Sequence, residues 1–152
     1  MSAVAIRTAS PTDAAMLARI HALCFEQAWD EAAFSGFLQD ARLFALLARA
    51  TGEWHAFILV RVAADESEIL TLATLPVSRR LGLARALVEA GGAEAFRLGA
   101  RRMVLEVAAD NDAALSLYRK AGFTAAGRRP GYYLRPTARA TDAVILSAAL
   151  PL

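Results

Sequence analysis

One stretch, residues 69–84, constrains the fold of this chain most, because it predicts a strand that a loop joins to the start of a helix. Residues 69–75 form an apolar run short enough for a buried strand, and Pro76 ends its hydrogen-bond ladder. The backbone N–H groups around Gly82 then lie at a helix start, which attracts anions. A basic turn that starts an ordinary helix is the alternative interpretation. The helix itself is indicated by apolar residues at helical spacing: Leu83, Leu87, Val88 and Ala95.

The composition limits the class of protein. A chain of 152 residues with 57% apolar side chains predicts a single folded domain, residues 1–152, and excludes a disordered chain. No apolar run reaches the roughly 18 uninterrupted residues of a membrane-spanning helix, so we predict no membrane partner. Cys24 is the single cysteine and the N-terminus lacks a secretory pattern. We therefore predict a cytoplasmic protein.

Charge and ligand types argue against two further classes of partner. The net charge is only +2, and the arginines are scattered among acidic residues without interleaved aromatic residues, so we predict no nucleic-acid binding. His21 and His55 stand alone, which favours a packing or surface role for each. We accordingly predict no metal site.

The first half of the chain predicts strands around two helices. Residues 4–8 alternate as an opening strand does, and Ser10 with Pro11 marks a helix that ends near Leu23. Asp30 is suited to cap a second helix. The apolar runs 44–50 and 54–63, separated by a turn at 51–53, predict an antiparallel hairpin.

The second half predicts a β-α-β unit followed by two more strands. Residues 102–107 return as a strand that would pair parallel to residues 69–75. A helix follows from about residue 111 to Ala121, and strands are predicted at 123–128 and 141–147, joined by an irregular segment. This order predicts an α/β (α+β mixed) fold with a mixed sheet and helices on its faces.

The loop around Gly82 resembles a known motif. Arg79, Gly82 and Ala84 match the Gln/Arg-x-x-Gly-x-Gly/Ala loop of the GCN5-related N-acetyltransferases (GNAT superfamily), whose backbone amides cradle the pyrophosphate of coenzyme A. Glycine there permits a positive φ and close approach of a phosphate. Three further blocks carry the similarity: residues 25–30; 105–107 with Asn111, Leu117 and Tyr118; and 129–133 with Asp142 and Ala143.

Within the superfamily, the chain is most similar to the ribosomal-protein-alanine N-acetyltransferases (RimI type). This resemblance implies the GNAT fold, a mostly antiparallel sheet of about seven strands with four helices. It also implies a V-shaped splay between the two central parallel strands, where the pantetheine arm of acetyl-CoA binds. Acetyl-CoA is the cosubstrate so implied. By the same matching, the coenzyme contacts are the strand residues Leu72, Ala73 and Thr74, the loop residues Arg79, Arg80, Leu81, Gly82, Leu83, Ala84 and Arg85, and Asn111.

Two residues carry the predicted chemistry. Glu106 is a carboxylate in an otherwise apolar strand, where burial would raise its pKa into the range of a general base, and it matches the family's catalytic glutamate. Tyr118 lies one helix further on, and its phenol could protonate the leaving thiolate, as in the enzymes it resembles. The alternatives are a hydrogen-bonded strand-end Glu106 and a Tyr118 that only packs. Asn111 could likewise be a simple N-cap.

The acceptor is predicted from two segments that the resemblance places beside the peptide site. They are residues 25–30 with Trp29, and residues 129–133 with Tyr132 and Tyr133. We predict direct transfer, in a ternary complex, to the N-terminal α-amine of a protein, such as the N-terminal alanine of a ribosomal protein. The alternatives are a small-molecule amine, a lysine side chain, or a coenzyme A-binding module without turnover. A monomer or weak dimer is expected.

Overall fold

The computed structural model describes residues 4–133 and 141–152, which form one mixed sheet with helices on both faces. The strands are β1 (Ala5–Thr8), β2 (Leu43–Arg49), β3 (Ala56–Ala63), β4 (Glu66–Thr74), β5 (Arg102–Ala108), β6 (Thr124–Tyr133) and β7 (Thr141–Ala149). The helices are α1 (Ala14–Cys24), α2 (Glu31–Gln39), α3 (Leu83–Arg97) and α4 (Asp112–Lys120), with 3₁₀ turns at Pro11–Asp13 and Pro76–Ser78. No helix in these two ranges is long and apolar enough to cross a membrane.

The strand order β1-β2-β3-β4-β5-β7-β6 confirms the predicted sheet, which is antiparallel except between β4 and β5. That parallel pair is short. It joins Glu66 to Arg102, Ser67 to Met103 and Glu68 to Val104, and ends there, while β4 continues to Thr74 and β5 to Ala108. The predicted V-shaped splay is therefore present, with each strand held on its outer side by an antiparallel neighbour.

Two apolar cores cover the two faces of the sheet. One lies under α3 and α4 and includes Leu105 and Val107 of β5, and the other lies under α1 and α2 and includes Ala73 of β4. Gly91 of α3 lets that helix lie close to the sheet, because a Cβ there would come within 3.2 Å of Ile58. The core under α1 and α2 is centred on β2 and β3, so it leaves part of that face of β5, β7 and β6 open.

One local prediction is wrong. Residues 129–133 were expected to be irregular, but they form the end of β6, with a register irregularity between Arg129 and Tyr133. The carboxylate of Asp142 on β7 holds this end, accepting from the Gly131 N–H at 2.8 Å and from Arg128 at 2.6 Å. Pairing with β7 therefore overrides the turn preference of a Pro-Gly sequence. The connection between β6 and β7, residues 134–140, lies outside the described residues.

Candidate active site

The opening between β4 and β5 exposes backbone on its β4 side. Leu72 and Ala73 send their side chains into opposite cores, so the strand edge between them carries only main-chain groups toward the opening. The carbonyl of Thr74 accepts from the Cys24 thiol at 3.4 Å and from Arg79 Nε at 3.3 Å. The Thr74 hydroxyl oxygen is buried and has no hydrogen-bond partner among the described residues. A strand edge that is unpaired with β5 beyond Glu68 and bears an unpartnered hydroxyl near its end is suited to bind an extended ligand.

The start of α3 has no side-chain cap. Gly82 is the N-cap with φ of 80°, and it has no side chain to satisfy the first helical N–H groups. A Cβ on Gly82 would meet nothing within 4 Å, so the glycine is required by backbone conformation and by access to the amides. Arg80 also adopts a positive φ, 67°, a strained conformation for a residue with a side chain. The loop thus has the amide-lined shape that a pyrophosphate needs.

Burial and side-chain hydrogen bonds fix the loop at its two ends. Leu83, the first residue of α3, is buried in the core under α3 and α4, whereas Leu81 is exposed. Arg79 turns back to the Thr74 carbonyl, and Arg85 donates to Glu89 at 2.7 Å one helical turn later, so neither guanidinium is free of protein partners. The remaining loop residues predicted to bind coenzyme, Arg80, Gly82 and Ala84, occupy the turn and the first residues of the helix.

His55 stabilises this loop through two hydrogen bonds, a role that the sequence analysis did not predict. Its Nδ1 lies 2.6 Å from the Ser78 hydroxyl, and its carbonyl accepts from the Leu75 N–H at 2.9 Å. Both partners belong to the connection between β4 and α3, whereas His55 precedes β3. Nothing in a local pattern marks such a contact, because it depends on the pairing of β3 with β4.

Glu106 faces away from the α3 and α4 core that holds its neighbours Leu105 and Val107. Its side chain is 21% exposed and forms an ion pair with Arg129 of β6, with 2.9 Å between Oε1 and a guanidinium nitrogen. It borders a groove of about 390 Å³ on the open face of the sheet, whose floor includes Val104 and Ile145. The expected carboxylate is therefore at the opening, but its surroundings include a cation, unlike the apolar setting that was expected.

Tyr118 lies on the other face of β5. It is 6% exposed in the α3 and α4 core, where its ring meets Phe123 edge-on at 5.6 Å. Packing is therefore part of its role. Glu106 and Tyr118 therefore lie on opposite faces of the sheet. The unpaired opening between β4 and β5 connects these two faces.

Asn111 caps α4, since its side chain accepts from the Ala114 N–H at 3.1 Å. The N-cap interpretation is confirmed, and contact with a coenzyme stays a prediction. Trp29 likewise shows its packing role. Its ring stacks on His21 at 4.9 Å and meets Phe34 and Phe37 edge-on, within the core under α1 and α2.

His21 fixes the connection between α1 and α2. Its Nδ1 accepts from the Trp29 N–H at 3.1 Å, and burial lowers the pKa of its imidazole, which keeps this nitrogen an acceptor. Tyr132, another of the predicted acceptor-binding residues, is exposed. The residue is 51% exposed, and the centroid of its ring lies 5.3 Å from the Arg129 guanidinium carbon. Tyr133 pairs with Thr141 at the end of β6.

A sheet that opens between two parallel strands, beside a helix start with free amides, is the architecture expected of an acetyltransferase. Residues 14–123 match the Acetyltransferase (GNAT) family, and the chain belongs to this family. It is an acetyl-CoA-dependent N-acetyltransferase. No group of three or more His, Cys, Asp or Glu side chains arranged to hold a metal ion occurs within 4–133 and 141–152.

Among characterised relatives, the chain is 36% identical over 124 residues to the [Ribosomal protein bS18]-alanine N-acetyltransferase of Escherichia coli (strain K12), covering 82% of this chain and 81% of that protein. Its structure superposes on the crystal structure of the ribosomal-protein-S18-alanine N-acetyltransferase from Escherichia coli with a TM-score of 0.89, at 30% identity, covering 99% and 96% of the two chains. The fold also matches Arabidopsis thaliana NAA60 in complex with acetyl-CoA, with a TM-score of 0.85, 20% identity and coverage of 97% and 99%.

Proposed function

We propose that this N-acetyltransferase acts on the N-terminal α-amine of a protein, with the N-terminal alanine of a small-subunit ribosomal protein as the preferred acceptor. The observation that carries the proposal is the position of Glu106, at the splay of the sheet and at the edge of an open groove. Such a groove admits a chain while its terminal amine reaches the carboxylate. The name and similarity of the Escherichia coli relative support alanine as the first residue.

The β4 side of the splay fits acetyl-CoA. The main chain of residues 72–74 would hold the pantetheine arm, and the amides at 79–85 would hold the pyrophosphate. Asn111 lies at the start of the helix that follows β5 and would contact the coenzyme from that side. Bound acetyl-CoA supplies an activated acyl group as a thioester.

The remaining chemistry falls to two side chains on opposite faces of the splay. Transfer forms an amide bond to nitrogen and breaks the carbon–sulfur bond. The acceptor ammonium loses two protons on the way to the amide, of which the leaving thiolate gains the equivalent of one and the other is released to solvent. Glu106 accepts the first proton from the ammonium, which frees the nitrogen lone pair for attack, and passes that proton to solvent. Tyr118 donates a proton to the thiolate from the other face. Because the two groups serve different atoms, direct transfer in a ternary complex requires no acylated residue of the enzyme.

The acceptor is tested with a panel of peptides. We expect an alanine-starting peptide to be acetylated at its α-amine, and the same peptide with a blocked α-amine to be inert even when it contains lysines. Mass spectrometry of the products distinguishes the two sites. Efficient lysine acetylation of the blocked peptide, or preference for an unrelated small amine, would contradict the proposal.

Tyr132 provides a test of the peptide-binding side. The Tyr132→Ala variant should raise the Michaelis constant for the alanine-starting peptide at least severalfold while that for acetyl-CoA changes little, because the exposed Tyr132 contacts Arg129, which lines the groove. Tyr132→Phe is the matched control that keeps the ring and removes the hydroxyl. Equal changes in both Michaelis constants would instead indicate damage to the fold.

A further inference from the structure

The side chain of Arg129 joins the carboxylate of the site to the exposed tyrosine. Its guanidinium forms the 2.9 Å ion pair with Glu106 of β5 and lies 5.3 Å from the ring centroid of Tyr132 on its own strand. The side chain is 54% exposed, so it can leave either partner without opening the core.

The preceding residue, Arg128, makes a different contact from that of Arg129. Arg128 stays within the β6 and β7 hairpin, where Nε donates to Asp142 at 2.6 Å. Arg129 instead extends across β7 to β5, as the strand order β5-β7-β6 allows. The strand end that bears Arg129 is also irregular, with Gly131 at φ of 62° and a break in register before Tyr133.

The ion pair has a consequence for any amine that enters the site. An acceptor amine arrives largely as a cation, and it must approach the carboxylate that Arg129 already contacts. Two cations then compete for Glu106. When an acceptor also binds near Tyr132, its ammonium can displace the Arg129 guanidinium from Glu106. An amine without a following chain must instead compete with a guanidinium that stays bound to the carboxylate.

We propose that Arg129 is a specificity-determining residue that keeps Glu106 paired until the chain following the acceptor's α-amine engages Tyr132. The inference rests on the proposed function and deepens it. It predicts selection for acceptors that continue as a peptide, independently of which amino acid comes first.

The test compares two acceptors with the same amine environment, an alanine-starting peptide and alaninamide, which lacks the following chain. In the unmodified enzyme the peptide should have the higher kcat/KM. In Arg129→Ala the ratio of the two kcat/KM values should fall about fivefold to tenfold, because one exposed ion pair and one cation–π contact are removed. Most of that change should come from faster turnover of alaninamide.

Two variants serve as controls. Arg129→Lys keeps a cation for Glu106 but loses the planar group that covers the Tyr132 ring, so alaninamide should remain a poor acceptor while the peptide's KM rises. Arg128→Ala removes the adjacent arginine and its pair with Asp142, and it should leave the acceptor ratio as in the unmodified enzyme. Thermal unfolding and the KM for acetyl-CoA verify that each variant is folded.

The outcomes separate the two levels of inference. An unchanged ratio in folded Arg129→Ala, or an equal fall in Arg128→Ala, would overturn the role of Arg129. Alaninamide turned over as well as the peptide by the unmodified enzyme would overturn it too. Failure of the unmodified enzyme to acetylate any free peptide α-amine would overturn the proposed function itself.

Discussion

The two strands that bound the opening lead into helices that begin in different ways. After β4, α3 begins at Gly82, which has no side chain to accept from the first helical amides. After β5, α4 begins at Asn111, whose side chain accepts from the Ala114 N–H at 3.1 Å. Asp30 caps α2 in the same way, accepting from the Ala33 N–H at 2.9 Å. The uncapped start is the exception among these three.

The difference between the capped and uncapped helix starts indicates which of them is suited to bind a ligand. A capped start satisfies its own donors, whereas an uncapped start leaves N–H groups and the positive end of the helix dipole for an anion. The β4 side is therefore built from backbone and suited to binding. The β5 side carries the carboxylate of Glu106 before its capped helix and is suited to chemistry. Variants on the two sides should affect different kinetic constants.

The largest effect is expected on the β5 side. Glu106→Gln keeps the shape of the side chain but removes the proton acceptor, and loss of a general base typically lowers the rate by about 10² to 10⁴. We expect kcat for the peptide to fall while the KM for acetyl-CoA stays near its original value. The deficit should shrink at high pH, where the acceptor amine is already neutral. Turnover at the original rate at neutral pH would remove Glu106 from this role.

On the β4 side we expect a smaller effect, and it should fall on acetyl-CoA affinity and not on kcat. Gly82→Asp places a carboxylate at the uncapped start, where it can cap α3 and repel a phosphate, so affinity for acetyl-CoA should fall roughly tenfold to a hundredfold. Isothermal calorimetry measures this change. Gly82→Ala is the uncharged control: its side chain must adopt the same positive φ, but its Cβ lies in open space. It should weaken acetyl-CoA binding less than Gly82→Asp does. Equal loss in both variants would point to backbone strain alone.

The smallest effect concerns the capped start. Asn111→Ala removes the cap and should lower the free energy of unfolding by about 1 kcal/mol, whereas Asn111→Asp retains an acceptor for the Ala114 N–H and should not. Denaturant unfolding measures both. If Asn111 also contacts the coenzyme, the KM for acetyl-CoA should rise in both variants. An unchanged KM would limit Asn111 to capping.

Local signals predicted the β4 side well. Pro76 at the strand end, Gly82 with its positive φ and the helical spacing of apolar residues all act within a few residues of one another, and each is found where it was expected. Asp30 and Asn111 as caps are local in the same sense. The splay itself was expected from the family resemblance, and the short register of β4 with β5 confirms it.

The sequence by itself determined the order of the elements and the loop at the start of α3, because backbone preferences and side-chain periodicity operate over short separations. Only the tertiary structure decided that Arg129 meets Glu106, that Trp29 fills a core against His21, and that residues 129–133 pair as a strand. These contacts depend on strand order and register, which bring distant residues together across a neighbouring strand or from separate elements. A local pattern carries no information about which distant side chain lies opposite.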